Sequence, residues 1–195
     1  LRGEDKVVIT SIGEGSTSQG EWYEAVNWAA VHRLPVIFIV QNNMYAISVP
    51  PEKQMAVPSA ADKACGLGLD GVQVDGTNVF EVFKVMSRAV EKARRGEGPT
   101  LVETRMYRIT PHSSDDDDRS YRSREEVEEN KKRDPLLLAR TLLEQAGLLP
   151  AEALAEMEAK AKSVIEDAVQ YATAAPYPKA EDADFPVYVE DIRHD

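Results

Sequence analysis

Glu14 stands between two glycines at the end of one apolar run, and Asn42-Asn43 stand at the end of the next, so that Glu14 and Asn43 are 29 positions apart. A carboxylate and an amide oxygen are hard donors of the kind Mg²⁺ prefers. That ion takes one or two carboxylates and leaves phosphates and water to complete its shell. A nearby carbonyl such as that of Tyr45 would add a third protein oxygen. The N–H groups of Gly15 and Ser16, near an expected helix start, suit phosphate oxygens. Alone, Gly13-Glu14-Gly15 reads as a surface acid in a turn, and asparagine is common in turns. In combination, each directly after a buried strand, they point to Mg²⁺ holding a diphosphate, because open α/β sheets bind ligands outside the carboxyl ends of their strands.

The elements that must position these groups are legible. Val7–Ile12 and Val36–Val40 are short, apolar and β-branched, and read as buried strands. Glu21–Arg33 reads as a helix with Trp22, Ala25, Val26, Ala29 and Ala30 as its apolar stripe, ended by Pro35. A polar loop from Met44 to Pro58 and a short helix over Ser59–Gly66 follow. A third strand is expected over Gly71–Gly76 and a fourth over Thr100–Ile109. Between them an Asn78/Glu81 capping box opens a helix to about Arg95. Strand–helix alternation of this kind predicts a doubly wound, mostly parallel α/β sheet with flanking helices.

After Ile109 the composition turns polar. Thr110–Ser123 carries Asp115-Asp116-Asp117-Asp118, which reads as a solvated acidic turn, and the loop is expected to be mobile without cofactor and to order when it binds, because four adjacent aspartates repel one another. His112, in this loop, would lie at the same carboxyl edge as Glu14 and Asn43, within reach of phosphate or substrate. Ser123 and Glu126 form a second capping box, and Asp134-Pro135 an N-cap with a first-turn proline. Helices to about Gly147 and over Pro150–Ala174 lead to an extended, acidic tail. The expected organisation is an α/β domain over 1–123, including the loop 110–123, and a helical extension over 124–195.

The net charge of −11 argues against a nucleic-acid binder. No apolar stretch reaches the ~20 residues of a membrane span. The single Cys65 has no internal disulfide partner and reads as a core thiol in a reducing compartment. Trp22 and Trp28 read as packing residues. With no Met before Leu1, the chain is expected to be the C-terminal part of a longer protein.

Gly13-Glu14-Gly15-Ser16 with Gln41-Asn42-Asn43-Met44-Tyr45-Ala46-Ile47-Ser48 resembles the thiamine diphosphate fingerprint. Tyr107-Arg108-Ile109, His112-Ser113-Ser114-Asp115-Asp116 and Tyr121-Arg122-Ser123 resemble the active-site loop of the alpha subunit in the decarboxylating component of the branched-chain 2-oxo acid dehydrogenase complex. The resemblance runs from about Lys6 to about Gly147. It implies that Glu14 and Asn43 bind Mg²⁺ through their side chains and Tyr45 through its carbonyl. It implies cofactor contacts at Gly15, Ser16, Gln41, Arg108 and His112, with His112 also lining the substrate channel as the catalytic residue. Ser113 falls on a serine that a kinase modifies in some relatives. Arg108, Asp116, Tyr121 and Arg122 would order the loop.

The resemblance further implies a beta subunit in an α₂β₂ heterotetramer, which supplies the glutamate that activates the cofactor's aminopyrimidine, and a lipoyl domain of the acyltransferase core as acyl acceptor. The compartment would be a bacterial cytoplasm or a mitochondrial matrix. A pyruvate-specific alpha subunit is the alternative within the class, and a non-catalytic fragment or assembly module the alternative outside it.

Overall fold

The computed structural model describes residues 5–180. The acidic end of the tail lies outside them. Two compact units divide the chain at Gln145/Ala146. In the first, strands β1 (Val8–Gly13), β2 (Val36–Asn42), β3 (Asp70–Asp75) and β4 (Thr100–Arg105) form one parallel sheet in the order β1-β2-β4-β3. The helices are α1 (Gly20–Val31), α2 (Pro51–Gln54), α3 (Lys63–Gly66), α4 (Val79–Arg94), α5 (Arg124–Lys131) and α6 (Pro135–Gln145). The expected parallel α/β architecture is the one observed. In the second unit the described residues hold one long helix, α7 (Ala151–Ala174).

The two sheet faces follow the two-residue period of the strands. Phe38, Val40 and Leu101 face one layer, packing on Trp22, Val26 and Ala29 of α1 and on Ala60, Ala61 and Ala64. Ile37, Val74 and Val102 face the other, packing on Ala89 of α4 with Val82, Val85, Met86 and Val90 around it. The approach is tight at Gly71, where a Cβ would sit 2.1 Å from the Ala61 carbonyl oxygen.

Several expectations need correction. The first strand is not buried: Val8 and Ile9 are 56% and 54% exposed, because β1 is an edge strand paired on one side only among the described residues. Ala25 is exposed, and Trp28 is 64% exposed, its ring tilted against that of His32 one turn on rather than packed inward. Cys65 is exposed, since Ala64 takes the core-facing position of that short turn of helix. The helix α1 starts at Gly20 and stops at Val31. A separate 3-10 turn (Gly15–Ser18) precedes it, and Arg33 in a left-handed conformation turns the chain into β2.

Candidate functional site

Parallel pairing aligns the ends of the two strands. Gly13 lies opposite Gln41 and Asn42 opposite Arg105, so Glu14 and Asn43 leave the sheet side by side at its carboxyl edge. The Asn43 N–H donates to Glu14 Oε2 at 3.4 Å. Glu14 is 1% exposed, and its other carboxylate oxygen, Oε1, is buried with no hydrogen-bond partner. Buried carboxylate oxygens are almost always paired, so this orphan marks a place where a cation or a donor belongs.

The backbone around Glu14 is held from below. The Thr17 hydroxyl donates to the Glu14 carbonyl at 2.6 Å and accepts from Lys63 Nζ at 2.7 Å. Gln54 Nε2 donates to the Gly15 carbonyl at 3.0 Å. Glycine is required at position 15, because a Cβ there would stand 2.6 Å from that of Ala46. Bonding within the 3-10 turn starts at the Thr17 N–H, which leaves the Gly15 and Ser16 amides outside its ladder.

Two asparagine turns shape the opposite side. Asn42 Oδ1 accepts from the Met44 N–H at 3.1 Å, and Asn43 Oδ1 accepts from the Tyr45 N–H at 3.2 Å. Met44 itself has φ +73°, a left-handed conformation uncommon without glycine. The Tyr45 carbonyl accepts from Arg108 Nη1 at 3.1 Å, which leaves it one further lone pair. Arg108 Nη2 also donates to the Ile47 carbonyl at 2.6 Å and the Tyr121 hydroxyl at 2.8 Å. Arg108 therefore ties the asparagine turn to the polar loop.

Within that loop the acidic run lies at the surface, as expected, with Asp115 and Asp117 exposed and Asp116 and Asp118 half-buried on partners. Asp116 accepts from Tyr121 at 2.5 Å and from the His112 N–H at 2.9 Å, and these bonds hold its carboxyl below the usual range. Asp117 pairs with Arg119 at 2.6 Å, and Asp118 with Arg122 at 2.6 Å. Each of these three acids has its own cationic or hydroxyl partner, while Asp115 is exposed beside Ser114. The Arg122 side chain is fully buried, donates to the carbonyls of Arg108 and Ile109, and lies over the rings of Tyr45 and Tyr107. The two tyrosine hydroxyls both donate to Glu126 Oε1 at 2.9 Å. Burial and then the Glu126 carboxylate push the Tyr45 hydroxyl up to about 12. The second capping box is thus half formed: Ser123 accepts from the Glu126 N–H, while the Glu126 carboxylate serves the tyrosines.

Glu14, Gly15, Ser16, Asn43, Tyr45 and Arg108 come together around one edge of the sheet. The side chains of Gln41 and His112 are exposed, and neither makes a hydrogen bond to this group. Sequence reasoning missed Glu103. It is fully buried on β4, and its carboxylate accepts from Asn42, Ser59, Ala61 and Gln73. Burial alone would raise its pKa, but these four donors outweigh burial and lower it. An acid directly after Leu101-Val102 in a strand expected to be buried was the available signal. Beside the site, a cleft of about 690 Å³ opens at the ends of β3 and β4, lined by Tyr45, Asp75, Arg105, Tyr107 and Arg133 among others.

Residues 1–181 match the family model described as dehydrogenase E1 component. The chain is 51% identical over 180 residues to the 2-oxoisovalerate dehydrogenase subunit alpha of Bacillus subtilis, covering 92% of this chain and 54% of that protein. It is 44% identical over 182 residues to the pyruvate dehydrogenase E1 component subunit alpha of the same organism, covering 93% and 49%. It is 45% identical over 161 residues to the 3-methyl-2-oxobutanoate dehydrogenase subunit alpha of Mycobacterium tuberculosis, covering 83% and 44%. The chain spans about half the length of these curated relatives.

Proposed function

The chain belongs to the dehydrogenase E1 component family, and from that premise we propose that it is part of a 2-oxo acid dehydrogenase alpha subunit that holds Mg²⁺ and thiamine diphosphate. The observation that carries this reading is the buried, unpartnered Oε1 of Glu14 at the carboxyl edge of a parallel sheet. The donor set fits a single Mg²⁺: one carboxylate oxygen, the amide oxygen of Asn43 and the remaining lone pair of the Tyr45 carbonyl. The close approach of Ala46 to Gly15 fits a turn in which backbone amides, rather than side chains, meet a phosphate. When bound, thiamine diphosphate would supply the carbanion chemistry by which a 2-oxo acid loses carbon dioxide and its acyl group passes to a lipoyl group.

This chain's own work is anchoring. Glu14, Asn43 and Tyr45 fix the cation, and Gly15 and Ser16 offer N–H groups to the diphosphate. Arg108 braces the Tyr45 carbonyl from behind and carries the loop that bears His112. His112, exposed on that loop, is proposed to meet phosphate and substrate once the loop is seated, and Gln41 to reach the same phosphate. The α/β portion is proposed to end at residue 123.

A branched 2-oxo acid is the proposed substrate, supported by the 51% match to a 2-oxoisovalerate subunit against 44% for a pyruvate one. The proposed partners are a beta subunit, in an α₂β₂ assembly, and the lipoyl domain of an acyltransferase core. The exposed Val8, Ile9, Trp28 and Val31 support burial of the β1 edge and the outer face of α1 in a larger body. A bacterial cytoplasm or mitochondrial matrix is the proposed compartment. The test is kcat/KM of the complete enzyme with an artificial electron acceptor. Branched 2-oxo acids should exceed pyruvate, by a modest ratio, since a methylene in an apolar pocket is worth about 1–3 kcal/mol. A preference for pyruvate would move the assignment to the pyruvate-specific subunit.

A further inference from the structure

We propose that Glu103 is a positioning residue for the cation site, acting through Asn42 on the turn that carries Asn43 and Tyr45. The inference rests on the Mg²⁺ reading above and deepens it. Glu103 points into the core of the sheet from β4, where a buried carboxylate is costly and an apolar side chain would pack without penalty. No basic side chain pairs with it among the described residues. Its partners are neutral: Asn42 Nδ2 on Oε1 at 2.6 Å, and on Oε2 the Ser59 hydroxyl, the Ala61 N–H at 3.2 Å and Gln73 Nε2 at 3.2 Å.

What the charge achieves is a choice of direction. The two ends of a carboxamide are nearly the same shape, so packing alone does not orient Asn42. An acceptor-only carboxylate does, because it takes the amide's NH₂ end and turns the oxygen the other way. That oxygen then accepts from the Met44 N–H at 3.1 Å and pins Met44 at φ +73°. The residue between, Asn43, donates its N–H to Glu14 Oε2 and receives the Tyr45 N–H on its own Oδ1. Glu103 therefore stands directly behind a turn whose forward side holds both non-carboxylate cation donors.

Glu103→Gln tests this on the complete protein, with Mn²⁺ as the probe and its unbound fraction read by electron paramagnetic resonance in the presence of thiamine diphosphate. The glutamine oxygen will take the end that faces three donors, which turns its NH₂ onto Asn42. Asn42 must then flip and set its own NH₂ against the Met44 N–H. Mn²⁺ affinity should fall at least about tenfold. Adding Asn42→Asp supplies a carboxylate that accepts from both sides, and should restore affinity to within about threefold of the original. Ser59→Ala, which removes a donor from the far oxygen only, should lower the thermal midpoint without moving Mn²⁺ affinity.

If the unsubstituted protein binds no Mn²⁺, the cation reading itself falls and this inference with it. If it binds and Glu103→Gln binds equally well, or the double variant stays as weak as the single, only the positioning role is overturned. Should Glu103→Gln fail to fold, Asn42→Ala breaks the same link from the other end. Unchanged Mn²⁺ affinity there would overturn the proposal, and a tenfold loss would support it.

Discussion

Glu14→Gln separates a cation ligand from an ordinary buried acid, because the two roles predict opposite signs. Without a cation, the native side chain holds a buried carboxylate oxygen that nothing satisfies. Leaving a buried polar group unpaired costs about 1–3 kcal/mol, and more if it is charged. Glutamine keeps the length and the acceptor for the Asn43 N–H, and removes the charge. The cation-free variant should therefore be more stable than the native protein by about 1–2 kcal/mol. In a domain of this size 1 kcal/mol moves the midpoint by roughly 2–4 °C, so the rise should be about 2–8 °C, and less in a longer chain. With Mg²⁺ and thiamine diphosphate the order should invert. A cation at a hundred times its Kd stabilises the native protein by about 2.7 kcal/mol, and the variant has nothing to gain. Differential scanning calorimetry of both proteins, with and without the pair of ligands, gives all four midpoints. A variant that is less stable than the native protein without Mg²⁺, and is still raised by it, would refute the reasoning.

Gly15→Ala should weaken thiamine diphosphate binding in isothermal calorimetry and cost about 1–3 kcal/mol, since its Cβ must displace Ala46 from 2.6 Å. Arg122→Met should cost about 3 kcal/mol or more of unfolding free energy, read as a lower denaturant midpoint with little change in slope, because it leaves Asp118 and two carbonyls without their donor. Limited proteolysis should then cut faster within 110–123 than in the native protein. The Tyr45 hydroxyl, raised from 10.0 to about 12, should show as a pH effect at the alkaline end. Its neutral form is favoured in the folded state, so its contribution is complete below about pH 10 and is lost as pH rises to about 12. Tyr45→Phe should flatten that limb of the stability curve, followed by circular dichroism.

The 29-residue step from Glu14 to Asn43 was legible because strand, helix and strand in a βαβ unit leave two carboxyl ends side by side, and the register aligns them. The exposure of Val8 and Ile9 was not legible: a β-branched run looks the same at an edge as at the centre, and only pairing distinguishes them. The pairing within the acidic run was legible only in part: Asp118 meets Arg122 four residues on, across one turn, and Asp116 meets Tyr121 five residues on, spacings that depend on the 3-10 turn between them. Glu103 escaped notice because its four partners come from β2, β3 and the segment before α3, none of them near it in sequence. The phosphate contact of Gln41 came from resemblance and that of His112 from its loop position as well, and the side chains of both are exposed.

Glu14, Asn43 and Tyr45 are proposed to hold one divalent cation. The most direct measurement is anomalous diffraction from crystals of the complete protein grown with Mn²⁺ and thiamine diphosphate. One strong peak is expected within about 2.0–2.3 Å of Glu14 Oε1, the Asn43 amide oxygen and the Tyr45 carbonyl oxygen, the spacing that small divalent ions impose on oxygen ligands. A peak elsewhere, or none at these three atoms at saturating Mn²⁺, would contradict it.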